Sequence, residues 1–187
     1  MKLKSKWPVR RFFAFLGALY LFCAVTPLLF AESGTTKSES VFRIYDTATE
    51  TVRTVNDLDF LCGALPCEMA VSAPDEALKA QIIAIHTLYD RKRRENTWKD
   101  FDFTCDSAEK SIYTVDAGLT DEEQNRVRAL CLSVLDTEIY FENEPINACY
   151  FAISAGCTQP FENVWPEKSY PYLTAVACPS DLLAQGF

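Results

Sequence analysis

Apolar and polar positions follow several distinct registers along this chain. Phe12 to Ala31 is an uncharged run of 20 residues, which as a helix spans the ~30 Å hydrocarbon core of a bilayer. Glu32 to Ser40 (ESGTTKSES) is polar and reads as a short linker. Val41 to Tyr45 and Thr51 to Val55 predict two short strands around Asp46-Thr47-Ala48-Thr49. Leu58, Leu61, Cys62 and Leu65 then recur at helical spacing, predicting a helix over Asp57 to Leu65 that Pro66 stops. Leu78, Ile82, Ile85 and Tyr89 form an apolar stripe at spacings of 4, 3 and 4, and predict the longest helix, from about Pro74 to Arg94. Ser72 or Ala73 is expected to cap it, with Pro74 in its first turn. Asp75 and Glu76 suit its positive N-terminal end, and Arg91, Lys92, Arg93 and Arg94 its negative C-terminal end.

Thr97 to Ile112 has no clear period and reads as loop. Thr120-Asp121-Glu122-Glu123 is a capping box that opens a further helix lasting to about Leu135. Thr137 to Phe141 and Ile146 to Ile153 predict a hairpin around Glu142-Asn143-Glu144-Pro145. The remainder is irregular and rich in Gly, Pro and aromatics, with a short strand expected at Leu173 to Ala177. There are no internal repeats. Strands and helices mixed without a βαβ rhythm place the chain in the α+β class, as one domain over residues 41–187 after an N-terminal segment.

Charge sharpens the reading of that segment. Residues 1–31 carry Lys2, Lys4, Lys6, Arg10 and Arg11 and no acid; taking those five cations from a net charge of -8 leaves -13 on the rest. The basic flank sets the N-terminus inside and residues after Ala31 outside. This predicts a transmembrane anchor over residues 12–31, a cytoplasmic tip before it and an extracytoplasmic domain after it, with a cleaved signal peptide and a secreted product as the alternative. The acidic domain has no electrostatic footprint for nucleic acid, and favours a neutral or zwitterionic substrate over a strongly anionic one.

Eight cysteines stand in the chain, Cys23 in the apolar run and seven beyond it. An odd number cannot pair completely within one domain. With no CxxC and a single histidine, His86, the sequence predicts no metal site. It contains no P-loop and no GxGxxG, and no cofactor is expected. His86 lies one turn after Ile82 beside the apolar stripe, as a satisfied helix-face histidine would. Glu68 sits just after Pro66-Cys67 among Leu65, Met69 and Val71, in an expected loop between two helices. Partial burial there would raise its carboxyl pKa toward what a general acid needs.

The block Gly63-Ala64-Leu65-Pro66-Cys67-Glu68-Met69, then Glu76-Ala77-Leu78-Lys79-Ala80-Gln81 and Thr87-Leu88-Tyr89, resembles the stage II sporulation protein D family, which includes amidase enhancers of cell-wall lysis. The family pattern is a Glu-Met pair followed, eight residues after the Glu, by Glu-Ala-Leu-Lys-Ala-Gln; Glu68 and Glu76 keep that spacing. Tyr150 to Thr158 (YFAISAGCT), Trp165 and Pro171-Tyr172-Leu173 resemble its downstream stretches. The resemblance implies a membrane-anchored peptidoglycan lytic transglycosylase, cutting peptide-free glycan strands to 1,6-anhydromuramic ends in wall remodelling such as sporulation engulfment. It implies Glu68 as catalytic acid and then base, with Glu76, Lys79, Gln81, Ser154 and Thr158 as substrate contacts and no metal. Implied partners are the glycan strands, a cell-wall amidase and other engulfment proteins.

Each contact has a plainer reading: Glu76 favouring a helix N-terminus, Lys79 pairing with Asp75, Ser154 and Thr158 holding a turn at Gly156, and Trp165 packing in a core. The chain also departs from the family pattern. His86 stands where Arg is usual, and Cys157 where a second Gly is usual. The resemblance implies that Cys67 and Cys157 approach each other, as a disulfide at the rim of the site. Family members usually continue past the Pro-Tyr-Leu region, whereas this chain stops at Phe187. This leaves a non-catalytic peptidoglycan-binding module or amidase enhancer as the alternative to an enzyme.

Overall fold

The computed structural model describes residues 40–97, 99–109 and 111–183. The expected tip, anchor and most of the linker therefore lie outside the described residues. No helix among the described residues is long and apolar enough to cross a membrane.

Strand β1 (Val41–Asp46) and strand β2 (Thr51–Asn56) pair antiparallel, with Phe42 opposite Val55 and Ile44 opposite Arg53. The turn between them closes on Asp46, whose Oδ1 accepts from the Ala48 and Ser107 amides at 3.1 and 3.2 Å. Helix α1 (Asp57–Glu68) begins at once, with the Asn56 side chain accepting from the Asp59 amide. The expected stop at Pro66 does not occur. Proline removes one bond from the last turn, but the Met69 amide donates to the Leu65 carbonyl at 2.9 Å and closes it, so Glu68 is helical rather than looped.

Helix α2 (Asp75–Glu95) runs as the apolar stripe predicts, and Leu78, Ile82, Ile85 and Tyr89 are all buried. Pro74 itself occupies the N-cap without a side-chain bond, in place of the expected Ser72 or Ala73. Strand β3 (Phe103–Cys105) lies inside the expected loop and pairs parallel with β1, giving the sheet order β2-β1-β3. The capping box forms as predicted: Thr120 accepts from the Glu123 amide and Glu123 accepts from the Thr120 amide, opening helix α3 (Asp121–Val134). The α+β class is met.

Phe42, Ile44 and Phe103 of the sheet meet Phe60, Leu61 and Leu65 of α1, the stripe of α2, and Val127, Leu130 and Cys131 of α3 in one core. Phe42 and Phe60 rings lie 4.6 Å apart, and Tyr89 and Phe103 4.5 Å apart. Gly63 is where α1 meets the chain before α3. A Cβ there would strike the Thr114 carbonyl and the Tyr113 ring, while its own carbonyl accepts from the Thr114 amide at 3.2 Å.

The second hairpin shrinks to strands β4 (Tyr140–Phe141) and β5 (Glu144–Pro145). Glu142 and Asn143 both have positive φ, as a two-residue turn of this hand requires. Ile146 to Ile153 is therefore not a strand: Phe151 and Ile153 are exposed, and the Cys149 amide bonds locally to the Asn147 carbonyl. Leu173 to Ala177 supplies only a bridge of Ala177 to Cys157.

Candidate active site

Glu68 is the last residue of α1 and is exposed, not partly buried as expected. The Tyr150 phenol lies within reach of its carboxylate and feels its charge. Burial first, and then the Glu68 charge, push the Tyr150 phenol above its ordinary value, so it stays a donor at any ordinary pH. Two α2 side chains lie within reach of the same charge. Tyr89 is also pushed up by burial and then by Glu68. Lys92, whose ammonium sits 4.3 Å over the Tyr89 ring, is pulled below its usual value by burial against the opposing pull of Glu68. A carboxylate thus stands at a helix end with one neutral donor and one cation facing it. The phenol can follow the carboxylate through proton transfer without itself ionising.

Tyr150 also belongs to an apolar cleft of about 480 Å³ lined by Phe161, Trp165, Tyr172 and Val176 among others, with Ser154 and Thr158. Trp165 stacks on Phe161 at 4.5 Å, and Phe161 meets Tyr170, behind the cleft wall, edge-on at 4.9 Å. Trp165 is 48% exposed, so the core reading of that residue is wrong. A half-exposed indole on a cleft wall presents the flat apolar face on which a sugar ring packs.

Ser154 and Thr158 shape this cleft more than they reach into it. The Ser154 hydroxyl and amide both donate to Asp181 Oδ2, at 2.6 and 2.8 Å. The Thr158 hydroxyl accepts from the Val176 amide at 2.8 Å. Gly156 between them has a φ of 87° and lies 3.1 Å, measured from a would-be Cβ, from the Leu182 side chain, which only glycine meets without strain. The turn-holding reading of these two residues is the one the bonds support.

The α2 candidates separate from Glu68. Lys79 donates to Glu76 at 2.7 Å, not to Asp75, and Glu76 is exposed. That hydrogen bond and the Glu76 charge raise the Lys79 pKa. Lys79 and Lys92 are 13 residues apart along one helix, roughly 20 Å at 1.5 Å per residue. No described contact joins Glu76 or Lys79 to Glu68. Gln81 is different: its amide nitrogen is buried with no hydrogen-bond partner among the described residues. His86 is buried between two carboxylates, with Nε2 3.4 Å from Asp57 Oδ2 and 3.5 Å from Glu138 Oε1. Burial works against it, but the His86 bond and the Arg93 guanidinium hold Asp57 below the usual carboxylate range. His86 thus braces α1 against α2, and helps position the helix that ends in Glu68.

The expected Cys67–Cys157 disulfide is not formed. Both are thiols: Cys67 Sγ donates to the Gly63 carbonyl at 3.4 Å, one helical turn back, and Cys157 Sγ to the Thr158 carbonyl at 3.2 Å. Among the described residues no group of His, Cys, Asp and Glu is arranged to hold a metal ion. The residues missed by sequence reasoning are Tyr150 and Lys92. Tyr150 lies 82 residues after Glu68, and no local periodicity links them.

Comparison with known proteins adds the family. The SpoIID family model, described as stage II sporulation protein, matches residues 45–138, which include Glu68, Glu76, Lys79, Gln81 and His86 but not the cleft residues after Cys149. The stage II sporulation protein D of Bacillus subtilis (strain 168) is 26% identical over 148 residues, 74% of this chain and 43% of that protein. That of Bacillus amyloliquefaciens is 28% identical over 149 residues, again 74% of this chain and 43% of the relative. The chain therefore spans less than half the length of the curated relatives it matches.

Proposed function

This chain belongs to the SpoIID family of stage II sporulation proteins, and from that premise we propose that it is a peptidoglycan lytic transglycosylase in which Glu68 carries the chemistry. The observation that supports this reading most is the approach of Glu68 to the Tyr150 phenol at the edge of an aromatic cleft. A glycan strand lies along the cleft with a sugar ring on Trp165, and its scissile bond reaches Glu68 past Tyr150. Protonated Glu68 gives its proton to the glycosidic oxygen as the C–O bond breaks. The carboxylate so formed, steadied by Tyr150 and Lys92, takes the proton of the muramic acid C6 hydroxyl. That oxygen closes the 1,6-anhydro ring. The nucleophile belongs to the substrate, so one carboxylate suffices where most glycoside hydrolases use two.

The site requires no metal or other cofactor for these steps. Of the further substrate contacts expected from the family pattern, Glu76 and Lys79 are joined to each other, and the Gln81 amide nitrogen is buried away from the cleft surface. Glycan strands, a wall amidase that strips peptides ahead of cleavage and other engulfment proteins are the partners this reading carries. A membrane anchor at residues 12–31 would hold the domain against the wall from outside the cell.

The test is digestion of peptide-free glycan strands by the full chain, wild type and Glu68→Gln, read by mass spectrometry. The reading expects anhydromuramic ends from wild type and none from the variant. Product from neither, with glycan still retained in a pull-down, replaces it with a non-catalytic binding module or amidase enhancer.

A further inference from the structure

Helices α1 and α3 are clamped at one point by a salt bridge, Arg128 Nη1 to Asp59 Oδ1 at 3.0 Å. Three residues further along each helix stand Cys62 and Cys131, so each thiol lies on the same face as its helix's half of that bridge. Cys62 packs against the core cluster that holds Cys131, and the two thiols lie close enough to influence each other. Cys131 is fully buried in the core, while Cys62 is only half-buried. Cys62 also lines a cleft of about 390 Å³ together with Asp59, Gly63, Tyr113 and Arg128. One thiol is thus open to a small reagent and the other is shielded directly behind it. This is unlike Cys67 and Cys157, whose thiols turn to backbone carbonyls.

We propose that Cys62 and Cys131 are a redox-active pair, closed to a disulfide by a disulfide-bearing oxidant (a small-molecule disulfide or a thiol–disulfide oxidoreductase), which staples the helix carrying Glu68 to α3. The Cys62 thiolate attacks one sulfur of the oxidant's disulfide, whose S–S bond breaks and releases one thiolate. Cys131 gives up its proton and attacks the Cys62 sulfur of the mixed disulfide. A second thiolate leaves, and both take up the protons shed by the two cysteines. Two electrons pass from the cysteines to the oxidant, and one S–S bond is exchanged for another. The neighbouring Cys131 thiol, helped by Arg128, holds the Cys62 thiol below its ordinary value, which suits the attacking sulfur. The nearness of Cys62, with burial, pushes Cys131 up, which suits a resolving thiol that acts only once its neighbour is modified.

The full chain, in detergent, is incubated with oxidised glutathione, alkylated and mapped by mass spectrometry. A peptide linking Cys62 to Cys131 is expected in wild type. Cys131→Ala should instead accumulate glutathione on Cys62. Dithiothreitol should lower the melting temperature of oxidised wild type by roughly 5 °C or more and leave Cys131→Ala unmoved. Cys62 and Cys131 both open to alkylation once oxidised wild type is unfolded in denaturant would overturn the proposal, as would Cys62 joined to any other cysteine, or stable glutathione on wild-type Cys62.

Discussion

The Tyr150 phenol and the Glu68 carboxylate interact across 82 residues of sequence, and that one interaction joins the end of α1 to the aromatic cleft. Its strength depends on the charge of Glu68, since a phenol donates more strongly to a carboxylate than to a carboxylic acid. It therefore favours the first half of the proposed reaction, when Glu68 gives up its proton and the carboxylate forms. Tyr150→Phe keeps the ring in the cleft and removes only the donor. A lost hydrogen bond of about 1–2 kcal/mol corresponds to roughly a five- to thirtyfold fall in kcat on peptide-free glycan, with little change in KM. An equal fall in kcat/KM through KM alone would show that Tyr150 binds substrate and does not tune Glu68.

Gly63 fixes α1 against Tyr113 and Thr114 with no room for a methyl group. Because the obstruction is backbone and a packed ring, neither can swing aside. Gly63→Ala should cost about 1–3 kcal/mol despite the better helix propensity of alanine. Urea unfolding gives the answer: the midpoint should fall with the m-value unchanged, and a rise would mean the ring relaxes freely.

Much of this was legible because it is local. The β1–β2 hairpin, the stripe Leu78-Ile82-Ile85-Tyr89 and the capping box at Thr120 each write their geometry within one element. Strand β3 did not show because its three residues gain strand character only by pairing with β1, some 60 residues earlier. Ile146 to Ile153 misled for the opposite reason: its apolar residues line an open cleft, and apolar content alone reads as strand. At the site, the Glu-Met block points to Glu68, while the approach of Tyr150 and Lys92 to it shows only once the chain is folded. The exposure of Glu68 follows from a helix that outlasts Pro66, which the proline itself argued against.

Asp46 holds the first turn and titrates far from its ordinary value. Its hydrogen bonds, led by that with Ser107, hold its carboxyl at about 2 against a usual 3.8. A depressed carboxyl stabilises the fold above its unfolded pKa and loses that contribution as pH falls through its folded pKa. Wild type should therefore lose stability between about pH 3.8 and pH 2 by the part that Asp46 supplies. Asp46→Asn should flatten this part of the profile in a denaturation series at fixed salt. An unchanged acid slope would assign it to other carboxylates.

Asp90 is buried on α2 and binds Arg93 and Arg94, the latter at 2.6 Å from Arg94 Nε. Arg93 in turn reaches Asp57 at 3.0 Å, at the start of the helix that ends in Glu68. Asp90→Ala frees both guanidiniums while leaving a hole under them. The cost should be about 3–5 kcal/mol if Arg93 stays desolvated, and nearer 1 kcal/mol if both arginines swing into water. Thermal unfolding of Asp90→Ala beside Arg94→Ala separates the two, because Arg94 is half exposed and its loss alone should be small.

Trp165 offers the sharpest separation of binding from folding. It is half exposed and rests on Phe161 at 4.5 Å, so truncating it removes an exposed face and little core. Phe161 lies beneath it and also meets Tyr170 at 4.9 Å, so its truncation should loosen the cleft itself. Trp165→Ala should weaken retention of peptide-free glycan by about five- to tenfold, the ~1 kcal/mol of a sugar–aromatic stack, with the melting temperature nearly unchanged. Phe161→Ala should lower both retention and melting temperature. Equal losses of stability in the two variants would mean that Trp165 supports the fold after all. An unchanged affinity in a still-folded Trp165→Ala would move the glycan away from this wall and leave Glu68 to be approached from another side.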